Sequence, residues 1–242
     1  MIIMEGYSYI NIFDTKGIEY LVIIGFLLLL VPFWRALNKP LKARVTALSP
    51  LRVLTANILK IPQGILYSRN HTWAHLEKEG YAHVGLDDLL LHIIGQVSIK
   101  VFKMPGDKVI KGEQIAEISR VGGSLTIKSP ISGEVQGVNT SLREDTGALS
   151  ADPYGKGWMY QIKPERWAED TKACFLANEA TLWFKTELLR FKDFMAMSIN
   201  KYTPETVQVV LQEGGELADN PLVGMPAEVW LDFQEHFLDQ VS

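Results

Sequence analysis

From Ile65 to Pro164, turn residues cut the chain into short pieces, nearly all of them suited only to small strands. Thr72–Leu76 alternates in polarity, Glu79-Gly80 turns the chain, and Tyr81–Val84 returns. Asp87 and Asp88 open a short apolar helix, Leu89–Ile94, with acids where a helix N-terminus favours them. Val97–Phe102 is followed by turns at Pro105-Gly106-Asp107 and at Gly112. Ile115–Arg120 and Leu125–Lys128 then flank Gly122-Gly123, which reads as a hairpin tip. Pro130, Ser132 and Gly133 turn the chain again before Glu134–Val138. Strands this short and this closely spaced predict a compact all-β barrel or sandwich.

Five segments carry a resemblance to a known family. YSRNHTWAHL (Tyr67–Leu76) contains a Tyr and a His-x-Trp, and VGLDDLL (Val84–Leu90) follows it. PGDKVIKGEQIAEI (Pro105–Ile118), SPISGEVQGVN (Ser129–Asn139) and DPYGKGWMYQIKP (Asp152–Pro164) complete the set in order. Together they resemble the H protein of the glycine cleavage system. The likeness implies a mainly β, barrel-sandwich hybrid domain of the lipoyl type over residues 64–165.

That family carries lipoate on a lysine at a hairpin tip, within a pattern similar to Glu-Ser-Val-Lys-Ala. With Gly106, Gly112 and Ser129-Pro130 as anchors and no gap between them, the lysine position falls on Gly122 and the glutamate position on Ser119. Glycine has no amine, so no lipoyl amide forms there, and no cofactor is expected. Lys128, further along the returning strand, is the alternative acceptor. Sliding the register to bring it to the tip would turn core residues outward. Gly122-Gly123 then reads as a permissive tight turn. Ser119→Glu with Gly122→Lys is the restoration expected to accept lipoate at least weakly.

The other polar residues form no reactive set. His71, His75 and His83 lie around the first hairpin, but scattered strand histidines are usually structural, and no metal site is expected. Asp152, Tyr154 and Trp158 are read as loop-shaping residues. No nucleophile–base constellation and no phosphate-binding glycine pattern is found, so the chain is not expected to be an enzyme. The lone cysteine, Cys174, excludes an internal disulfide. A net charge of -4 speaks against a nucleic-acid partner.

Ahead of this domain, Tyr20–Trp34 is free of charge. Fifteen helical residues cover only about 22 Å of a hydrocarbon core ~30 Å thick. Extension over residues 17–37 places Glu19 and Arg35 near the interfaces, where long side chains snorkel. Positive charge follows the run, at Arg35, Lys39, Lys42 and Arg44. The expectation is a single transmembrane helix over residues 17–37 within segment 1–38. The bulk of the chain would face the cytoplasm at the inner membrane. Residues 39–63, punctuated by Pro40, Pro50 and Pro62, are expected to be a tether.

After the β domain, residues 166–242 are expected to be mostly helical. Trp167–Asn200 repeats apolar residues at helical spacing, including Leu182, Phe184, Leu188, Leu189 and Phe191, with Glu187 among the residues of the wet face. Val207–Leu211 suggests a strand and Pro226–Leu238 a final amphipathic helix. The apolar faces serve either packing on the β domain or a partner. The whole reads as a membrane-anchored, non-lipoylated H-protein-like accessory or docking module of a larger protein complex. A lipoyl carrier modified on another lysine and a membrane-fusion-type adaptor are the alternatives.

Overall fold

The computed structural model describes residues 12–37, 53–143, 145–202, 211–212 and 216–239. The chain divides into two compact units, Met1–Ser49 and Pro50–Ser242.

In the first unit, α1 (Ile12–Leu37) runs through Pro32. Every large apolar side chain from Tyr20 to Trp34 is exposed, with Leu21 at 69% and Leu29 at 71%. Among the described residues no helix is long and apolar enough to cross a membrane. The single span expected over residues 17–37 therefore does not follow from the described residues alone.

The second unit is built on antiparallel strands. β1 (Leu66–Tyr67), β2 (Thr72–Leu76) and β3 (Ala82–Leu86) lead into α2 (Asp88–Ile94). β4 (Ser98–Val101), β5 (Lys108–Val109), β6 (Gln114–Arg120), β7 (Gly123–Lys128) and β8 (Gly133–Val138) follow. A 3-10 turn at Thr140–Arg143 and α3 (Gly147–Ala151) lead to β9 (Trp158–Pro164). One sheet has the order β1-β2-β3-β9-β8-β5 and the other β4-β6-β7. The inner faces supply the core at strand spacing, as with Leu125 and Ile127 of β7, each 1% exposed. Asp87 caps α2 by accepting the Leu90 N–H at 2.8 Å, as its position ahead of the apolar run requires.

Three expectations need correction. The tether does not extend through residue 63. Leu54 is fully buried and its N–H donates to the Leu217 carbonyl, while the Lys60 N–H donates to Asp88. Residues 39–52 lie outside the described residues. Apolar Leu54 and Leu59 are buried among the core residues, which pins this stretch to the folded unit.

The helical run from Trp167 is two helices, α4 (Trp167–Asp170) and α5 (Ala177–Tyr202). Between them Phe175 exchanges backbone hydrogen bonds with Tyr67 of β1, at 2.8 and 2.9 Å. A residue paired to a strand edge cannot continue a helix, and Ala177 restarts the chain at φ +51°.

The face of α5 also differs from the reading. Leu182 and Leu189 are exposed and Glu187 is buried, because Glu187 turns inward to meet two cations, His71 and Arg190. After β10 (Leu211–Gln212) and β11 (Glu216–Leu217), α6 (Ala227–Phe233) continues into a wider π turn, Gln234–Leu238. Residues 203–210, which hold most of the expected strand Val207–Leu211, lie outside the described residues. Phe233 and Phe237 stack at 4.9 Å and pack edge-on to Phe191 of α5. The apolar face of the C-terminal segment thus belongs to the core of the unit.

Candidate functional site

The hairpin of β6 and β7 is the surface on which the sequence reading turns. Ser119 pairs with Ser124 and Arg120 with Gly123, leaving Val121 and Gly122 as a two-residue turn. The tip therefore sits one residue earlier than Gly122-Gly123, and Gly123 is the first residue of β7. Gly122 has φ +114°, in the region open to glycine and strained for other residues. Val121 projects into solvent at 96% exposure.

The final helix expected over Pro226–Leu238 covers this hairpin, a placement the sequence left open between the β domain and a partner. α6 and the π turn run along the outer edge of β7. The Trp230 indole lies on Gly123 so closely that a Cβ there would stand 2.2 Å from its Cγ. A Cβ at Gly122 would stand 3.2 Å from the Met225 carbonyl oxygen. Further along, the Thr126 N–H donates to Gln234 Oε1 at 2.7 Å, and Lys128 Nζ meets Asp239 Oδ1 at 2.6 Å. A strand edge that would otherwise be open is thus closed by side chains. Lys128, the alternative lipoyl acceptor, is half of that ion pair. The second glycine was the only available signal, since a two-residue turn with one positive φ has no need of it.

The histidines separate into two places. His75 and His83 face each other across β2 and β3 and share Glu77, at 3.9 and 3.2 Å. His71 is fully buried elsewhere. Among the described residues no group of three or more His, Cys, Asp or Glu could hold a metal ion. Asp152 organises its loop by accepting the Gly155 and Lys156 N–H groups, and the Tyr154 hydroxyl accepts from the Asp88 N–H.

His71 joins the β domain to the C-terminal segment. It takes φ +56°, and its Nδ1 lies 2.8 Å from Asp87 Oδ2. Nε2 lies 3.6 Å from Glu187 Oε2, an ion-pair distance rather than a hydrogen bond. The ring stacks with Trp183 and with Phe237. Burial alone would pull the imidazole toward neutrality. The Asp87 and Glu187 carboxylates outweigh it and raise the pKa to about 9. Glu187 responds in kind: burial would raise its carboxyl, but His71 and Arg190 hold it below the usual value.

His71 binds its proton more tightly in the folded chain than in the unfolded one. Its contribution to stability is therefore complete below about pH 6.5 and disappears as pH rises through about 9. Thermal melts should fall over that window, and His71→Gln should flatten the fall. An equal fall in the variant would show that other groups cause it.

The described unit is thus a small antiparallel β domain with a hairpin whose turn residue Val121 is open to solvent. The comparisons place it. The family profile described as Glycine cleavage H-protein matches residues 65–187. The glycine cleavage system H protein of a Psychrobacter species is 32% identical over 119 residues, covering 49% of this chain and 94% of that protein. The Rubrobacter xylanophilus H protein is 38% identical over 104 residues, covering 43% and 82%. A crystal structure of the Mycobacterium marinum H protein matches at 27% identity and TM-score 0.39, covering 43% of this chain and 87% of that one. The chain belongs to the glycine cleavage H-protein family. That family is lipoate-carrying and itself non-catalytic. The match stops at residue 187, so α6 and the π turn that cover the hairpin lie outside the family domain.

Proposed function

We propose that this chain is a membrane-anchored H-protein relative without lipoate, serving as an accessory or docking module of a larger complex. The observation that carries the reading is a turn whose φ of +114° at Gly122 suits glycine, at the residue that the motif anchors align with the lipoyl lysine. Lys128, the alternative acceptor, is engaged by Asp239 and lies on the strand edge that the C-terminal segment covers. A carrier needs a free amine on an exposed arm, and this hairpin offers none at its tip.

The anchor is supported by the exposed apolar surface of α1, where fourteen residues other than Gly25 and without charge face outward from Tyr20 to Trp34. Such a surface in water is a liability unless lipid or protein covers it. With flanks from residues 17–37 the helix reaches the ~30 Å of a hydrocarbon core. Arg35, Lys39, Lys42 and Arg44 orient the following unit toward the cytoplasm.

Measurements of mass, membrane association and topology test this reading. Intact mass of the native chain reports any lipoyl group. For the anchor, the full chain should stay in the membrane fraction through alkaline carbonate washing. External protease should leave the β domain intact in cells stripped of outer barriers. Removal of residues 12–37 should release the rest. Full-length chain in the soluble fraction would overturn the anchor, and external cleavage of the β domain would overturn its orientation.

A further inference from the structure

The geometry points to Met225–Asp239 as a built-in cap that covers the β7 side of the β6–β7 hairpin and denies it to any enzyme that would grip the hairpin there to modify its tip. The inference rests on the alignment that places the family's lysine position at Gly122, and it deepens the reading of a chain without lipoate. In that light, the missing lysine and the added C-terminal segment are parts of one structural change.

Three contacts seat the cap in register along β7. Trp230 covers Gly123, Gln234 takes the Thr126 N–H, and Asp239 takes the Lys128 ammonium. Trp230 and Gln234 are one helical turn apart, so both reach the same strand edge. Trp230 is 1% exposed and Phe233 and Phe237 behind it are 0% and 1%, so the segment is part of the core and not a loose tail. The Met225 carbonyl oxygen lies 3.2 Å, and Trp230 Nε1 3.7 Å, from where a Cβ at residue 122 would be. A lysine at residue 122 would have to leave the turn past Met225 and Trp230.

An enzyme that attaches lipoate has to hold this hairpin from the side of its tip and reach the amine. With the cap seated, that side of β7 is occupied by the chain itself. This revises the expectation drawn from the sequence that Ser119→Glu with Gly122→Lys accepts lipoate at least weakly. The restored lysine should remain all but unmodified until the cap is displaced.

The test is made on the full chain. Amide exchange in the unaltered protein should show the Thr126 N–H protected, and exchange as fast as that of Val121 at the open tip would overturn the cap. The Ser119→Glu/Gly122→Lys protein is then incubated with a lipoate ligase, ATP and lipoate, beside an H protein that is fully modified under the same conditions. Intact mass should show at most a trace of lipoyl amide on the capped variant. Adding Trp230→Ala should raise modification at least tenfold. Trp230→Leu serves where the alanine variant fails to melt cooperatively. Equal modification with and without Trp230 overturns the proposal. Absence of modification in folded cap variants overturns it too, since something other than the cap would then exclude the ligase. Lipoate on the unaltered chain would instead defeat the lipoate-free reading, and the two failures are told apart by which protein gains mass.

Discussion

Trp230→Ala should destabilise the Pro50–Ser242 unit by about 3–5 kcal/mol, the usual cost of emptying a large aromatic site in a core. Trp230 is 1% exposed and sits against the backbone of Gly123, where no side chain can move in to fill the space. Trp230→Phe should cost less, about 1–2 kcal/mol, because the phenyl ring leaves only part of the indole volume empty. It also removes the indole Nε1, which is buried without a hydrogen-bond partner. Gly123→Ala should be nearly as damaging as Trp230→Ala, because its Cβ would lie 2.2 Å from Trp230 Cγ. The two should be strongly non-additive: once the indole is gone, alanine at 123 has room. Denaturant unfolding of the four proteins in that cycle measures this directly. A loss below about 1 kcal/mol for Trp230→Ala, or simple additivity, would show that the indole is not seated on the hairpin.

The largest functional effect is expected in glycine cleavage itself. Cells lacking their H protein should remain unable to cleave glycine when supplied with this chain. The loss should be complete rather than partial, since a carrier without its arm has no weaker route for the carried group. Removing residues 12–37 should not change the result, which separates a missing amine from a misplaced protein. Growth on glycine as nitrogen source reports the outcome. Restoration by the unaltered chain would mean that lipoate is carried on a lysine elsewhere.

The strands were legible because their punctuation is local. Glu79-Gly80, Asp87 before the α2 helix, and the turns at Gly106 and Gly112 each act within a few residues. The expected elements fall within a residue or two of those observed, as with Ile115–Arg120 against Gln114–Arg120. The hairpin tip was misplaced by one residue because Gly122 and Gly123 look alike in sequence and only Gly122 needs positive φ. Gly123 is small for a different reason, a tryptophan 107 positions further along, and no local pattern reports that.

Burial of charge was equally hidden. Glu187 sits where a helical wheel gives a wet face, yet it turns inward because His71 waits there, fixed by Asp87 from the other side. The break at Phe175 was missed because strand pairing with Tyr67 overrides a helical pattern that is continuous in the sequence. These are long-range pairings, and hydrophobic periodicity is blind to them.

The most direct measurement is the intact mass of the full chain purified from cells fed lipoate, followed by peptide mapping of every lysine. The expected result is the mass of the unmodified polypeptide, with Lys128 and all other lysines free of a lipoyl amide. A mass increase equal to one lipoyl group, mapped to any lysine of the chain, would contradict the account.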